Sequence, residues 1–254
     1  MGLPRTPSFR LDGKRALVTG GTRGIGLGAA VALAEAGATV TITARTLRDV
    51  EHVAGSMRDA GFAADGAVLD VTDTAAVERF IADRPPFDIL VNSAGAARHA
   101  PFLEVVEADY HAVLDINLKA TLFVSQAMAR RLSLSGRPGS IINISSQMGH
   151  VAGPRRAVYA ASKFAVEGLS KAMAIELAPL DIRVNTICPT FIETELTRKG
   201  LSDPEFRAWV LGKIKLGRLG QVEDIMGPVV FLASDAAALM TGSSLLVDGG
   251  WTAE

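Results

Sequence analysis

Residues 14–26 read Lys14-Arg-Ala-Leu-Val-Thr-Gly-Gly-Thr-Arg-Gly-Ile-Gly26, a short apolar run that enters a glycine-rich turn. Ala16, Leu17 and Val18 form the continuous apolar stretch that a parallel strand needs when both of its faces are covered. An Ala/Leu-rich helix follows and stops at Gly37, and the next strand covers residues 39–43. This order is the first βαβ unit of a doubly wound sheet, in which glycines let the backbone approach a pyrophosphate at a helix N-terminus. The turn alone is a weak indicator of a dinucleotide site, and its place between a strand and a helix strengthens the indication.

The rest of the chain continues the alternation of strands and helices. It predicts an α/β fold, a single-domain Rossmann-like doubly wound parallel sheet with helices on both faces. Residues 1–254 form the one domain, with an N-terminal extension over about residues 1–10. The further predicted strands are Ala67–Asp70, Asp88–Asn92, a run ending at Ser145-Ser146, Ile182–Ile187 and Ser244–Val247. The further predicted helices are one capped by Thr46, one capped by Thr72 or Asp73, a long one over Asp109–Leu134, one over Tyr159–Pro179 and one over Gln221–Ala233.

Composition argues against several classes of protein. The chain has 254 residues, 48% of them hydrophobic, which suits one α/β domain with a substantial core. A net charge of −1 argues against a nucleic-acid binder. The one cysteine, Cys188, is expected to be a buried apolar residue, and it provides neither a disulfide framework nor a metal-ligand cluster. Residues 1–10 lack the apolar core of a signal peptide and no apolar run reaches membrane-spanning length, so a cytoplasmic protein is predicted.

The stretch with the most evident chemistry is Tyr159-Ala-Ala-Ser-Lys163, which places a phenol and an ammonium one helical turn apart. A tyrosine titrates near ~10, so acid/base work at neutral pH requires a shift of about three units, roughly 4 kcal/mol. One unit charge at about 4 Å supplies roughly that much in an effective dielectric near ~20. For this pentapeptide alone, a surface helix with a chance Tyr/Lys pair is the better interpretation. The other motifs of the chain reverse that judgement, beginning with Ile141-Ile-Asn-Ile-Ser-Ser146, which reads as a buried strand ending in two hydroxyls.

Together these motifs resemble those of the short-chain dehydrogenase/reductase family, in its compact single-domain branch. Thr19-Gly-Gly-Thr-Arg-Gly-Ile-Gly26 fits the family's cofactor turn T-G-x-x-x-G-x-G. Asn92-Ser-Ala-Gly95 fits its N-N-A-G strand end, with Ser93 in place of the second Asn. Pro189 to Thr194 lies at the P-G-x-x-x-T position that closes over the nicotinamide, with the stiffer Thr190 in place of glycine. The match spans essentially the whole chain and looks closest to 3-oxoacyl-carrier-protein reductases and to sugar or polyol dehydrogenases.

The resemblance implies a catalytic tetrad of Asn117, Ser146, Tyr159 and Lys163. Tyr159 would exchange a proton with the substrate oxygen, and Ser146, preferred over Ser145 by its spacing to the tyrosine, would hydrogen-bond that oxygen. Lys163 would lower the pKa of Tyr159 and hold the nicotinamide ribose, while Asn117 would loosen its helix and help to place a water. The implied cofactor-binding residues are Gly20, Thr22, Arg23, Gly24, Ile25, Gly26, Arg45, Asp70, Val71, Asn92, Ala94, Gly95, Tyr159, Lys163, Pro189, Ile192 and Thr194.

Charge at the end of the second strand predicts the cofactor preference. An NAD site wants a carboxylate there, hydrogen-bonded to the ribose diol. The strand instead ends Thr43-Ala44-Arg45, and a guanidinium suits the 2′-phosphate of NADP. Arg23, in the glycine turn, is a second basic group near the same phosphate. The sequence therefore predicts NADP(H) in preference to NAD(H).

The substrate pocket is predicted from the residues after Gly95, the loop over residues 147–158 and a substrate-binding loop region at about 190–216. Several candidates are basic, which indicates an anionic substrate such as a sugar acid or a carrier-bound acyl group, with ordinary solvated arginines as the alternative. His150 is interpreted as a loop residue rather than a ligand, and no metal site is expected. The candidates are Arg98, His99, Gln147, His150, Arg155, Arg156 and Trp209.

The predicted function is an NADP-dependent oxidoreductase that interconverts a ketone and a secondary alcohol on a small molecule, such as a 3-oxoacyl thioester, a sugar acid or a polyol. The first alternative is a non-catalytic NADP(H)-binding regulator, which would not need Ser146, Tyr159 and Lys163 together. The second is the family's epimerase and lyase branch, which the short chain and the glycine spacing disfavour. The resemblance also implies a homotetramer. Neither nucleic acid nor a membrane is an expected partner.

Overall fold

Seven parallel strands form one sheet in the computed structural model, which describes residues 2–253 apart from the side chain of Lys199. The strands are β1 (Arg15–Thr19), β2 (Thr39–Ala44), β3 (Ala64–Val68), β4 (Ile89–Asn92), β5 (Gly139–Ile144), β6 (Ile182–Pro189) and β7 (Ser244–Val247). Their order across the sheet is β3-β2-β1-β4-β5-β6-β7, so the winding reverses between β1 and β4. Ligands of doubly wound sheets bind at such a reversal, beyond the carboxyl ends of the strands.

Helices cover both faces of the sheet. They are α1 (Gly24–Glu35), α2 (Leu47–Asp59), α3 (Thr74–Ala82), α4 (Glu107–Leu114), α5 (Ala120–Ser135), α6 (Ala157–Leu177), α7 (Glu195–Leu201), α8 (Pro204–Lys213) and α9 (Glu223–Ala233). On one face, Val18 of β1 packs in a buried cluster with residues of α1, α2 and α9. On the other face, the neighbouring Leu17 belongs to a cluster with residues of α3, α5 and α6. The alternation of adjacent strand residues between two cores confirms the predicted fold class.

The third strand differs from its prediction. We predicted a strand over residues 67–70, but β3 runs from Ala64 to Val68 and pairs with β2 from Val40 to Ala44. The strand lies at the sheet edge and is only partly buried, so its apolar pattern is weak. Leu69 and the residues after it extend beyond the end of β2, toward the carboxyl edge of the sheet.

The predicted long helix over residues 109–134 is divided into three parts. α4 and α5 flank a π-helical turn over Asp115–Lys119, which contains the buried Asn117. Single π turns occur within α-helices most often at functional sites. The helix is therefore locally widened at the turn that contains Asn117, while the functional role of Asn117 stays a prediction. The region at about 190–216, expected to be a loop, contains α7 and α8 instead.

Some apolar side chains remain on the surface. Phe164 and Ile175 of α6 are 48% and 77% exposed, so this helix presents apolar side chains to solvent. The homotetramer stays a prediction. Among the described residues, no helix is long and apolar enough to cross a lipid bilayer.

Close backbone contacts hold the glycine turn against the sheet. A Cβ on Gly26 would lie 2.2 Å from the carbonyl oxygen of Gly20, a separation that van der Waals repulsion forbids. Gly20 itself has φ +65°, and a Cβ there would lie 2.9 Å from Cα of Ala94. The amide of Ala94 and that of Ser93 point to the hydroxyl of Thr19 at 3.3 and 3.2 Å. The ends of β1 and β4 are thus locked together beneath the turn.

Replacement of Gly26 by alanine tests this packing. We expect Gly26→Ala to lower the free energy of unfolding by about 3 kcal/mol, because the backbone of Gly20 has to move. Gly55→Ala is the matched control, since a Cβ at Gly55 in α2 meets nothing nearer than 4.0 Å. That change is expected to stabilise by about 0.5–1 kcal/mol, as alanine is the better helix former. Chemical denaturation at equal protein concentration measures both, and a Gly26→Ala protein as stable as wild type would contradict the packing argument.

Candidate active site

An elongated cavity of about 390 Å³ lies at the carboxyl edge of the sheet, where the winding reverses. Sixteen of the seventeen residues predicted to bind the cofactor line it: Gly20, Thr22, Arg23, Gly24, Ile25, Gly26, Arg45, Asp70, Val71, Ala94, Gly95, Tyr159, Lys163, Pro189, Ile192 and Thr194. Asn92 is the exception. Its buried side chain amide donates to the hydroxyl of Ser125 and to the side chain carbonyl of Asn143, each at 2.9 Å, so it braces the sheet behind the cavity.

One end of the cavity carries the charges expected near an adenosine group. The Asp70 carboxylate accepts hydrogen bonds from the backbone N–H and the hydroxyl of Thr72, at 2.9 and 2.7 Å. These bonds lower the pKa of Asp70, and the nearby Arg45 lowers it further. Arg23 forms an ion pair with Glu195 at 3.2 Å, and both side chains are well exposed, so the pair contributes little to stability. Arg23 and Arg45 line this part of the cavity together with the acids Asp49, Asp70 and Glu195, and β2 itself ends at Ala44 followed by Arg45 rather than by an acid.

The Lys163 ammonium connects the helix that carries Tyr159 to the strand that leads to Ser146. Its Nζ donates to the backbone carbonyl of Ile144 at 2.8 Å and lies 5.7 Å from the centre of the Tyr159 ring. Burial lowers the pKa of Lys163 to about 8, against the opposing influence of Cys188 and Glu167. At neutral pH the amine is therefore still mostly charged.

The pKa of Tyr159 differs from the expectation. We expected Lys163 to lower it, but in the protein without cofactor the pKa of Tyr159 is raised by burial, and a hydrogen bond with Ser146 and the charge of Arg156 only partly offset this. The Lys163 ammonium donates to the Ile144 carbonyl, and the groups that oppose the effect of burial on Tyr159 are Ser146 and Arg156. The phenol is consequently protonated at neutral pH.

Two further members of the predicted tetrad have defined partners. The Ser146 hydroxyl oxygen accepts the backbone N–H of Met148 at 3.1 Å, which orients the hydroxyl while leaving its proton to donate. The Asn117 side chain accepts the N–H of Ala96 at 2.8 Å and donates to the carbonyl of Ala96 and the hydroxyl of Ser162, each at 3.0 Å. Asn117 thereby fixes the loop that follows β4 against the helix of Tyr159.

Three of the predicted substrate residues gather beside Tyr159. The Arg156 guanidinium lies 2.7 Å from Nε2 of His99 and 5.1 Å from the centre of the Phe191 ring. The His99 ring meets Tyr159 edge to face at 6.2 Å. Burial and the charge of Arg156 lower the pKa of His99 to about 4, so His99 is neutral at neutral pH and can accept from the guanidinium. Trp209 lies in the same apolar cluster as Tyr159.

The remaining predicted substrate residues lie elsewhere. Arg98 pairs with Asp109 at 3.8 Å, and Arg155 lines a separate small hollow next to Arg98. Gln147 is buried, and its side chain carbonyl has no partner among the described residues. His150 lies on the far side of the Ser146 loop, where its ring approaches Glu167 and Cys188. The assignment of Arg98 and Arg155 to the substrate set stays a prediction, although both line a hollow separate from the cavity that contains Tyr159.

An aromatic wall lies next to Arg156. Three of its members, Phe191, Phe206 and Trp209, fall within the predicted substrate region at about 190–216, but Trp251 was not predicted to belong to it. Trp251 stacks on Phe191 at 5.6 Å and meets Trp209 edge to face at 5.4 Å. Phe206 joins the group by contacts with Phe191 and Trp209. The sequence contains one indication that Trp251 is important, because it is one of only two tryptophans and directly follows the pair Gly249-Gly250. Its distance from the other aromatic residues in sequence concealed the contact.

Comparisons with known proteins agree with this geometry. A family model described as Enoyl-(Acyl carrier protein) reductase matches residues 20–252. The D-erythrulose reductase of Gallus gallus is 42% identical over 245 residues, which cover 96% of this chain and 98% of that protein. The gluconate 5-dehydrogenase of Gluconobacter oxydans (strain 621H) is 40% identical over 251 residues, or 96% of each chain. A crystal structure of a gluconate 5-dehydrogenase from Burkholderia cenocepacia J2315, in complex with NADP and tartrate, matches with a TM-score of 0.93 and 44% identity over 97% of this chain and 98% of that one.

The motifs at the cavity, the strand order and these similarities have one explanation. The chain belongs to the short-chain dehydrogenase/reductase family of oxidoreductases.

Proposed function

We propose that this protein uses NADP(H) to interconvert a ketone and a secondary alcohol on a small polyhydroxylated substrate, with Tyr159 as the acid/base. The observation that carries the proposal is that Tyr159, Ser146 and Lys163 line the same cavity as the glycine turn. A nicotinamide held along that cavity would supply the hydride, and the protein would orient the substrate and handle the proton. The names of the relatives, a D-erythrulose reductase and a gluconate 5-dehydrogenase, favour sugars and sugar acids over thioesters.

Each side chain has a separate task in this scheme. Tyr159 is protonated at neutral pH because burial raises its pKa, which is the form that gives a proton to a carbonyl oxygen during reduction. Ser146 donates its free proton to the same oxygen as negative charge grows on it. Lys163 holds the nicotinamide ribose and then helps to return a proton to the phenol. Asn117 positions the loop and helps to place the water that completes the relay.

Oxidation of an alcohol needs the opposite state of Tyr159, the phenolate. The raised pKa of the phenol in the protein alone disfavours that state. The positive ring of the oxidised cofactor would supply the missing stabilisation, since a cation near a phenol favours its charged form. The same site thus favours proton donation with the reduced cofactor and proton removal with the oxidised one.

Replacement of Tyr159 by phenylalanine tests the proposal. Against a panel of ketoses, keto sugar acids and 3-ketoacyl thioesters, wild type is expected to oxidise NADPH with at least one member. Tyr159→Phe is expected to lower kcat/KM by about 10²–10⁴-fold, while NADPH binding is retained. Tyr110→Phe is the matched control, because Tyr110 is the only other tyrosine and is 49% exposed on α4. Tight NADPH binding without turnover on any member would favour the regulator alternative.

The cofactor preference is tested at Arg45. We expect Arg45→Ala to raise the Kd for NADPH by about 10- to 100-fold, because a charge-assisted contact with the 2′-phosphate is worth about 1.5–3 kcal/mol. The Kd for NADH should change little. Arg48→Ala, an exposed arginine on the first turn of α2, is the control for loss of positive charge. Equal binding of NADH and NADPH by wild type would refute the argument from charge.

The surroundings of Arg156 indicate whether the substrate is neutral or anionic. Its guanidinium is partly buried among a neutral histidine and aromatic rings, and no carboxylate pairs with it among the described residues. A partly desolvated cation without a counter-ion favours a substrate carboxylate at this position.

We expect Arg156→Ala to raise KM for keto sugar acids by about tenfold or more and to change KM for neutral ketoses by less than about threefold. Arg155→Ala is the matched control, since the neighbouring arginine is exposed and lines a separate hollow beside Arg98. If Arg156→Ala had an equal effect on charged and neutral substrates, Arg156 would not bind a substrate carboxylate. The proposal of a polyhydroxylated substrate would be unaffected.

A further inference from the structure

Three potential metal ligands meet behind the Ser146 loop, outside the residues that line the cofactor cavity. They are Cys188 on β6, Glu167 on α6 and His150 in the segment after β5. Sγ of Cys188 lies 3.4 Å from Nε2 of His150 and 3.3 Å from Oε1 of Glu167. Nε2 of His150 lies 3.7 Å from Oε2 of Glu167. The three residues are widely separated along the chain, so they form no compact ligand motif in the sequence.

The distances from Sγ of Cys188 to Nε2 of His150 and to Oε1 of Glu167 match two edges of a small coordination tetrahedron. With bonds of about 2.3 Å to sulfur and about 2.0–2.2 Å to nitrogen and oxygen, tetrahedral ligands of zinc stand about 3.3–3.6 Å apart. One ligand atom from each of the three residues lies within 4.8 Å of the other two, so a rotation of the Glu167 carboxylate or the His150 ring would complete the set. A thiolate with an imidazole and one carboxylate is a ligand set that suits zinc and does not suit magnesium or calcium.

The surroundings of the three groups favour a preformed site. Oε2 of Glu167 accepts the hydroxyls of Thr186 at 3.0 Å and Ser244 at 2.5 Å, which orients the carboxylate as second-layer hydrogen bonds orient ligands in metal proteins. Cys188 is fully buried and Glu167 is 5% exposed. The His150 side chain is 29% exposed, so it provides a path from solvent for an ion.

Gly149 allows the turn that precedes His150 to pack directly against α6. A Cβ at this position would lie 2.9 Å from Cγ of Glu167 and 3.1 Å from Oγ of Ser145, so any other residue would push the turn away from the helix. Ser145 is buried, its hydroxyl oxygen has no nitrogen or oxygen partner among the described residues, and it also lines the cofactor cavity. Close packing of the turn therefore holds His150 near Glu167 and Cys188.

We propose that His150, Glu167 and Cys188 form a binding site for zinc or a similar divalent transition metal. Cys188 releases its thiol proton to solvent when it coordinates, and a solvent water takes the fourth position on the side of the partly exposed His150. The ion joins the loop that contains Ser146, the helix that carries Tyr159 and Lys163, and the strand that leads into Pro189. Its role is to hold these segments together, so the site is independent of the proposed redox reaction.

Cobalt titration of the full chain without a polyhistidine tag tests this site directly. Because Cys188 is the only cysteine, any thiolate-to-cobalt charge-transfer absorption has to arise from it. We expect the band to saturate at one cobalt per chain, and zinc to displace the cobalt. Cys188→Ala is expected to abolish the band, and His150→Gln to weaken cobalt binding at least tenfold. His52→Gln, an exposed histidine on α2, is the control and should leave the titration unchanged.

Two outcomes would overturn the proposal. One is the absence of the charge-transfer band in wild type together with zinc content far below one per chain after dialysis against zinc. The other is a band that persists unchanged in His150→Gln. In either case the three residues form a hydrogen-bonded cluster only, with the Cys188 thiol donating to Glu167. Neither readout depends on turnover, so the result does not bear on the oxidoreductase proposal.

Discussion

The all-parallel sheet brings the carboxyl ends of seven strands to one edge, and the site depends on that constraint. The turn after β1, the loop after β4 and the hydroxyls after β5 all reach the same cavity because of it. Close backbone contact at Gly20 and Gly26 then brings the turn near enough to β4 to form the cavity wall. A single hydrogen bond from Lys163 to the Ile144 carbonyl ties the helix of Tyr159 to the strand that leads to Ser146.

Burial determines how readily Tyr159 and Lys163 gain or lose a proton. It raises the pKa of Tyr159 and lowers the pKa of Lys163, so a neutral phenol lies near an ammonium group that loses its proton more easily than an exposed lysine does. Desolvation outweighs the nearby charges, so the pKa of Tyr159 is raised rather than lowered as the Tyr/Lys spacing alone predicted. In the proposed mechanism the cofactor ring changes charge during the reaction, and this change would couple proton transfer at Tyr159 to the redox state of the nucleotide.

Sequence was most informative where backbone requirements restrict residue type. The apolar run of β1, the glycine turn and the Tyr/Lys spacing on α6 could be assigned because few other structures accommodate them. Boundaries at the sheet edge were poorly predicted, since β3 is only half covered and its pattern is weak. Contacts between distant segments could not be predicted at all. The aromatic wall around Trp251 and the grouping of His150, Glu167 and Cys188 both arise from tertiary packing, which leaves no periodic pattern in the chain.

The central proposal is that the protein promotes transfer of a hydride from NADPH, bound in this cavity, to the carbonyl carbon of the substrate. A single turnover with NADPH deuterated at the transferable position of nicotinamide C4, followed by mass spectrometry of the product, measures that step directly. The account predicts one deuterium on the carbinol carbon of a sugar or sugar-acid product and its absence when unlabelled cofactor is used. Consumption of the labelled cofactor with no deuterium in the product, or saturated NADPH binding with no alcohol formed from any ketose or keto sugar acid, would contradict it.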